Sequence, residues 1–261
     1  MSDTVLAIMA SKKSKIGVTE QGDASLDLSW VDKLGTVAGA VVITKGLYEP
    51  FKEQILANQD KLLLHLTCTG YGGTILEPYV PSLSDTLISL DDLMQRGFPL
   101  DRIVVRVDPI IPTGKGIEIA RNVIDSMYRL GIRSIRVSVL DMYKHVQARF
   151  QAAGLPLPYG NYWQASKQQF FDLDRMLLQT LCTHPALSIE SCSEPMLKVP
   201  KQIGCISDAE CEMFNVEKTD SYHKQRKECL CCGEKIELLS NRHPCGHGCL
   251  YCYWKNRTES K

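Results

Sequence analysis

The stretch Ile103-Val-Val-Arg-Val-Asp-Pro109 decides the fold, because it has the pattern of a buried strand that ends on charged residues and a proline. A helical pattern follows at 116–130, and a second strand pattern follows at 135–140. Strand and helix alternate in this way along most of the chain. Such alternation predicts a parallel sheet with helices packed against it.

Six apolar, β-branched runs predict six strands, and helical patterns lie between them. The predicted strands cover 5–9, 38–44, 62–69, 103–107, 135–140 and 187–190. The predicted helices include 48–58, 83–96, 116–130 and 167–182. A chain of this kind forms either a partial (β/α)6 TIM-like barrel or a flat, doubly wound sheet, and periodicity does not separate the two.

Polar residues gather at the ends of the predicted strands, where both folds bind their ligands. These strand-end residues are Lys12, Lys13, Thr44, Lys45, the turn from Thr69 to Gly73, Arg106, Asp108, Asp141, Glu190 and Cys192. We therefore expect a pocket at this edge of the sheet.

The bulk composition predicts a soluble, cytoplasmic protein. The 30 basic residues among 261 balance the 30 acidic residues, so the total charge gives no support to a nucleic-acid partner or an anionic membrane surface. We find neither an apolar run of about 18 residues, as a membrane span requires, nor the pattern of a signal peptide.

The 11 cysteines are unevenly spread, and eight of them fall between positions 205 and 252. In a reducing compartment, metal ligation explains such clustering better than disulfides do. Helical and strand periodicity fades near position 201. We therefore predict a barrel over 1–200 and a cysteine-rich, metal-binding tail over 201–261 that packs on it, since the tail has few large apolar side chains of its own.

The tail closes with Cys245-Gly-His-Gly-Cys249-Leu-Tyr-Cys252, in which three thiols lie within eight residues. One loop of this length can present three thiolates to three irons of a 4Fe-4S cluster and leave a fourth iron open. Structural zinc is the competing interpretation, because zinc sites also use closely spaced cysteine pairs.

The C-x3-C-x2-C spacing resembles the signature of the radical S-adenosylmethionine (SAM) superfamily, and the whole chain resembles the family known as domain of unknown function 1848. A looser similarity connects it to spore photoproduct lyase. The matching segments are 9–13, 42–45, 66–72 with 77–82, 106–110, 141–144, 189–192, 225–231 and 244–253. The chain departs from the family pattern at Lys12-Lys13, where the family usually has two arginines, and at 43–47, where it usually has Trp-Thr-Lys-Asn-Pro.

The resemblance implies a partial barrel of the radical SAM type, in which the C-terminal tail supplies the cysteine ligands of the 4Fe-4S cluster. Cys245, Cys249 and Cys252 would hold the cluster near Lys12, and Tyr251 would lie against the adenine of SAM. The family pattern also implies a second site, either a 4Fe-4S cluster or a tetrahedral zinc; the alternative is that the tail holds a single site and Cys192 is only a buried thiol at the end of a strand. The ligands of the second site would be Cys192, Cys205, Cys229 and Cys231, with Cys211 or Cys232 as substitutes.

Several other residues have both a functional and a purely structural interpretation. Thr69, Gly70 and Gly72 either approach SAM or form an ordinary turn. Arg106 and Asp108 share one face of a strand, so each needs a charged partner, either the other or SAM.

Three further positions leave the same choice open. Glu190 either binds a ribose or substrate group or is merely solvated. Lys12 either binds a substrate anion or lies in a plain basic loop. His247 either hydrogen-bonds a cluster sulfur or lies on the surface, and for His243 we expect the surface.

These observations predict an enzyme that cleaves SAM reductively and abstracts hydrogen from a substrate, with Lys12, Arg106 and Asp108 as candidate catalytic residues. The expected partners are an external electron donor and a small molecule or nucleotide, for instance in nucleobase repair or modification. The alternative is a non-catalytic iron–sulfur or zinc protein that acts as a scaffold or an electron carrier.

Overall fold

The computed structural model of the protein describes residues 15–219, 229–230, 233–239 and 245–254. These residues form an eight-stranded sheet in which every neighbouring pair of strands is parallel. The strands are β1 (Ile16–Val18), β2 (Gly39–Thr44), β3 (Leu62–Thr67), β4 (Ile103–Ile110), β5 (Ser134–Val139), β6 (Ser188–Cys192), β7 (Lys201–Ile203) and β8 (Lys235–Glu237).

Six α-helices lie among the described residues: α1 (Glu49–Ala57), α2 (Leu83–Gln95), α3 (Gly114–Arg129), α4 (Lys144–Ala152), α5 (Lys167–Thr183) and α6 (Asp208–Met213). Short 3-10 helices cover Leu28–Thr36, Gln59–Lys61 and Leu100–Arg102. Side-chain hydroxyls fix the start of four α-helices, since Ser82, Thr113, Ser166 and Ser207 each accept a hydrogen bond from a first-turn N–H.

The strands follow the order β7-β6-β5-β4-β3-β2-β1-β8, so neighbours from β1 to β7 are consecutive in the chain. A doubly wound sheet would reverse direction at a switch point, and this one does not. The sheet instead curls into a half-barrel of general TIM-like form. The predicted barrel-like α/β architecture is confirmed at this level.

The prediction of six strands was incomplete. Five strands lie close to the predicted positions, whereas the predicted strand at 5–9 lies outside the described residues. β1, β7 and β8 were missed because each has only three residues, too few to show a period of two. α4 and α6 were missed as well.

The tail predicted over 201–261 contributes to the same sheet as the barrel. It supplies an edge strand on each side, since β7 pairs with β6 and β8 pairs with β1. The tail is thus attached to both open edges of the half-barrel. Among the described residues, no helix is long and apolar enough to cross a bilayer.

Alternation along the strands divides the sheet into two faces. One face carries apolar residues such as Leu64, Val105 and Val137, which pack with the surrounding helices into the main core. The opposite face lines the inside of the half-barrel, where a smaller apolar cluster includes Leu63 and Val104. Above this cluster, the inner face becomes polar.

Candidate functional site

A row of polar side chains crosses the inner face of the half-barrel at one level. The strand register aligns Thr67 with Arg106, Arg106 with Arg136, and Arg136 with Glu190. Because the residues two positions further on point to the same face, Asp108, Ser138 and Cys192 form the next level toward the strand ends.

The bottom of the half-barrel is closed by α6. Glu210 of this helix accepts a hydrogen bond from His65 Nε2 at 2.9 Å and from Arg136 Nη2 at 2.9 Å. Arg136 also contacts Glu190 at 3.0 Å. Burial would raise the pKa of Glu210, but its contacts with His65 and Arg136 hold that pKa well below its usual range. Burial lowers the pKa of His65 to about 4, so the imidazole is neutral at pH 7.

An ion pair that is more open to solvent joins this row to the next level. Arg106 donates to the Asp108 carboxylate, which also accepts a hydrogen bond from Ser138. The side chains of Arg106 and Asp108 are 25% and 27% exposed, whereas Arg136, the register neighbour of Arg106, is 5% exposed. The pairing of Arg106 with Asp108, one of the two predicted alternatives, is therefore observed.

A second ion pair lies at the ends of β2 and β3. Lys45 Nζ contacts Glu77 Oε1 at 2.7 Å and the Tyr251 hydroxyl at 3.1 Å, and Tyr251 donates to the same carboxylate. Thr69 donates to the other oxygen of Glu77 at 2.7 Å. Burial would lower the pKa of Lys45, but the Glu77 carboxylate and the Cys249 sulfur raise it above its usual value. Lys45 therefore acts electrostatically on a cysteine of the closing motif.

The closing motif is also anchored through His247. Its Nε2 lies 2.8 Å from Asp23 Oδ2, and its Nδ1 lies 3.3 Å from the carbonyl of Tyr79. Burial would raise the pKa of Asp23, but hydrogen bonds from His247, Thr44 and Ser25 keep it below its usual value. Since His247 is only 1% exposed, the structure excludes the surface position, one of the two alternatives left open for it: its ring contacts Asp23. His243 lies outside the described residues.

Backbone contacts hold the rest of the motif at the strand ends. Leu250 N donates to the carbonyl of Leu76 at 2.9 Å, and Arg149 of α4 donates to the carbonyl of Cys252 at 2.5 Å. Cys249 is buried, whereas Cys245 and Cys252 are half-buried. The three sulfurs of these cysteines do not all lie within 4.8 Å of one another.

A second set of cysteines, called the compact thiol group below, is more compact, and one of its members, Cys229, is disulfide-bonded. The sulfurs of Cys192, Cys205 and Cys229 are separated by 3.7 Å (192–205), 3.8 Å (192–229) and 3.7 Å (205–229). The Cys205 thiol donates to the Cys192 sulfur and lowers the pKa of Cys192 to about 6, while the pKa of Cys205 is raised. Among the described residues, these cysteines are the group of three ligand atoms close enough to share one metal ion.

The structure gives packing roles to the two glycines predicted near SAM. Gly70 has φ +81°, and a Cβ there would meet Ile119 at 2.5 Å. At Gly72, a Cβ would lie 1.9 Å from the carbonyl oxygen of Pro81. Glycine is therefore required at both positions for the turn itself. SAM contacts at Thr69, Gly70, Gly72, Glu190 and Tyr251 stay a prediction.

Of the remaining predicted ligands and catalytic residues, Lys12, Lys13, Cys231 and Cys232 lie outside the described residues. Cys211 is placed elsewhere: it packs in the inner apolar cluster rather than with the compact thiol group. Glu190, which was expected to be solvated or to bind a ligand, contacts Arg136.

Sequence reasoning missed Asp23, His65, Arg136 and Glu210. Arg136 had a signal, because it alternates with apolar residues on a buried strand and so had to face inward. Glu210 had a different sequence signal: Ser207 and Glu210 have the spacing of a capping box, which marks the start of α6. His65 had the same signal as Arg136, because it interrupts the apolar residues of a predicted strand, whereas Asp23 had none, since its partner His247 lies 224 residues away in the chain.

The fold and the site define a class: an α/β half-barrel protein with two sets of cysteines at the strand ends of a parallel sheet. Within this class, the chain belongs to the family described as domain of unknown function 1848, whose model matches residues 31–254. This result confirms the family resemblance.

A solved structure similar to this chain is a type I 3-dehydroquinate dehydratase from Clostridium difficile, covalently modified by comenic acid. It is 9% identical, the alignment covers 79% of this chain and 92% of that chain, and the TM-score is 0.31. No curated protein matches the sequence.

Proposed function

We propose that the protein is a radical SAM enzyme whose 4Fe-4S cluster is held by Cys245, Cys249 and Cys252. The observation that supports this most is the position of the closing motif. The motif lies at the carboxyl ends of β2 and β3, fixed by His247 on Asp23 and by Tyr251 on Glu77. In sheets of this kind, ligands bind at that edge.

The three thiols of the closing motif are not packed around a single ion. A cubane binds each thiolate to a different iron, which separates the sulfurs by roughly 6 Å. Thiols that crowded within 4.8 Å of one another would fit a single ion better, and these three do not crowd in that way. The Lys45 ammonium favours the thiolate form of Cys249, which is the form that binds iron.

When bound, the cluster would supply the electron that cleaves SAM and so yields a 5′-deoxyadenosyl radical for hydrogen abstraction. The protein's own residues then have three tasks in our proposal. Tyr251 places an aromatic ring next to the cluster cysteines. Lys45 and Glu77 hold this ring in position through the Tyr251 hydroxyl. Arg106 and Asp108, which remain partly exposed, offer a cation and an anion to a substrate inside the half-barrel.

The substrate proposed here is a small molecule or nucleotide rather than a long nucleic acid. The sequence has equal numbers of basic and acidic residues, so its total charge does not attract a polyanion such as a long nucleic acid. The accessible polar groups Arg106 and Asp108 lie on the inner face of the curled sheet, which suits a ligand of limited size.

The test is anaerobic iron and sulfide reconstitution, followed by reduction with dithionite in the presence of SAM. 5′-Deoxyadenosine is then quantified for the wild type, for a Cys245→Ala, Cys249→Ala, Cys252→Ala variant and for Cys182→Ala. Cys182 is exposed on α5 and belongs to neither set of cysteines, so its variant is the matched control.

We expect product from the wild type and the control and none from the triple variant. An intact cluster on the closing motif that yields no product would overturn the enzyme proposal. That result would favour the alternative, a non-catalytic metal protein.

A further inference from the structure

The compact thiol group of Cys192, Cys205 and Cys229 lies apart from the closing motif and has no role in the chemistry proposed above. Cys192 ends β6, Cys205 follows β7, and Cys229 belongs to the tail. We infer that these three cysteines, once Cys229 is reduced, supply three of the four ligands of a mononuclear, tetrahedral site for a zinc-class ion, rather than a second iron–sulfur cluster.

The sulfur–sulfur distances decide between the two kinds of site. Zinc binds thiolate at about 2.3 Å in tetrahedral geometry, which puts neighbouring sulfurs about 3.8 Å apart. The three observed separations are 3.7, 3.8 and 3.7 Å. A cubane that bound the same thiolates through three irons would need roughly 6 Å between sulfurs. The group therefore has the size of one ion.

The charges around the group suit a thiolate site. Arg106 and Arg136 act electrostatically on the Cys192 sulfur, and Lys235 of β8 acts on Cys192 and Cys205. Three thiolates and one divalent cation carry a net charge of −1, and the neighbouring cations are themselves paired with carboxylates, Arg106 with Asp108, Arg136 with Glu190 and Glu210, and Lys235 with Glu20. Cys192 and Cys205 are half-buried, so an ion can reach them from solvent.

The backbone is also shaped to bring the ligand-bearing segments together. Gly204, next to Cys205, packs against Leu230, next to Cys229. A Cβ at Gly204 would lie 2.1 Å from the carbonyl oxygen of Leu230, so only glycine permits this approach. The site consequently joins the end of β6, the residues after β7 and the tail at one edge of the sheet.

Metal binding has one chemical requirement. The sulfur of Cys229 is disulfide-bonded in the structure, and a disulfide sulfur is not a thiolate ligand. A phosphine must first reduce the disulfide to two thiols: it gives up two electrons and becomes a phosphine oxide, while water supplies the oxygen and the two protons. The thiols then lose protons as the ion binds.

The experiment uses the full chain with the closing motif removed by Cys245→Ser, Cys249→Ser and Cys252→Ser, so that the proposed radical SAM site contributes nothing. The protein is reduced with a phosphine and titrated anaerobically with Co²⁺, whose thiolate charge-transfer and visible bands report tetrahedral coordination. Zn²⁺ then displaces the cobalt. Cys192→Ser, Cys205→Ser and the control Cys182→Ser are compared in this background, with circular dichroism to check folding.

We expect one tetrahedral cobalt per chain, displaced by zinc. The dissociation constant should rise by at least about 100-fold in Cys192→Ser and in Cys205→Ser, but not in the control. Absence of tetrahedral cobalt, or equal affinity in all variants, would overturn the inference. If the variant that lacks the closing-motif cysteines binds about four iron and four sulfide ions per chain after reconstitution, the inference of a single-ion site is overturned in favour of a cluster. None of these outcomes depends on SAM cleavage.

Discussion

At the scale of single residues, the contact between His247 and Asp23 fixes the closing motif to the barrel. Asp23→Asn keeps the size of the side chain but replaces an ionised acceptor of several buried hydrogen bonds with an amide. Loss of one such charge-assisted bond costs about 2 kcal/mol. Amide hydrogen exchange across residues 245–254 should therefore accelerate roughly 30-fold, as that energy implies.

The matched control is Asp32→Asn, because Asp32 is exposed on the 3-10 helix Leu28–Thr36. Its exchange in the same segment should equal that of the wild type. Unchanged exchange in Asp23→Asn would show that the contact does not hold the motif in place.

Gly204 is a second residue whose identity is set by a single contact. Gly204→Ala should push the carbonyl of Leu230 away and with it Cys229, at a cost of about 2 kcal/mol for overpacking. We expect the Co²⁺ affinity of the compact thiol group to fall at least about tenfold.

Gly114→Ala is the control for this change, since nothing lies within 4 Å of a Cβ at Gly114. If Gly204→Ala binds cobalt as tightly as Gly114→Ala, the close approach of the two segments is unimportant for the site.

At the scale of elements, α6 closes the bottom of the half-barrel through one buried carboxylate. Glu210→Gln removes one of the two carboxylates that face Arg136 and leaves that guanidinium with Glu190 and the carbonyl of Cys205. Breaking a buried ion pair by removing one partner costs about 3 kcal/mol. Urea denaturation should show a loss of this size in the free energy of unfolding.

Glu212→Gln makes the same change of charge on the exposed side of the same helix. It should alter the free energy of unfolding by less than about 0.5 kcal/mol. Equal effects of the two variants would mean that the ion pair contributes no more than a surface charge.

At the scale of the whole molecule, His65 links the stability of the half-barrel to pH. Its pKa falls from 6.5 to about 4 on burial, and protonation would place a proton on Nδ1, which has no hydrogen-bond partner among the described residues. Between these pH values the unfolded chain binds more protons than the folded chain. His65 therefore makes the protein less stable as the pH falls from 6.5 toward 4.

His65→Gln keeps a donor for Glu210 but cannot be protonated. The loss of unfolding free energy between pH 7 and pH 4 should be smaller in this variant by up to about 3 kcal/mol. Denaturation of both proteins at several pH values measures the difference. Identical pH dependence would show that His65 does not titrate in this range.

The sequence by itself determined the local features of this protein. Alternating apolar runs indicated β2 to β6 and four of the helices, because strand and helix periods depend on nearby residues alone. The motif Cys245-x3-Cys249-x2-Cys252 was likewise visible as a pattern of neighbours, as was the strand-end position of Lys45, Arg106 and Asp108.

Only the tertiary structure decided which distant residues meet. It brought Cys205 and Cys229 to the end of β6, Glu210 beneath Arg136, and His247 against Asp23, a residue 224 positions earlier. It also showed that the tail extends both edges of the sheet. Such contacts depend on how the sheet curls and on where the tail returns, and no local periodicity encodes either, because periodicity records which side of an element is buried and not what covers it.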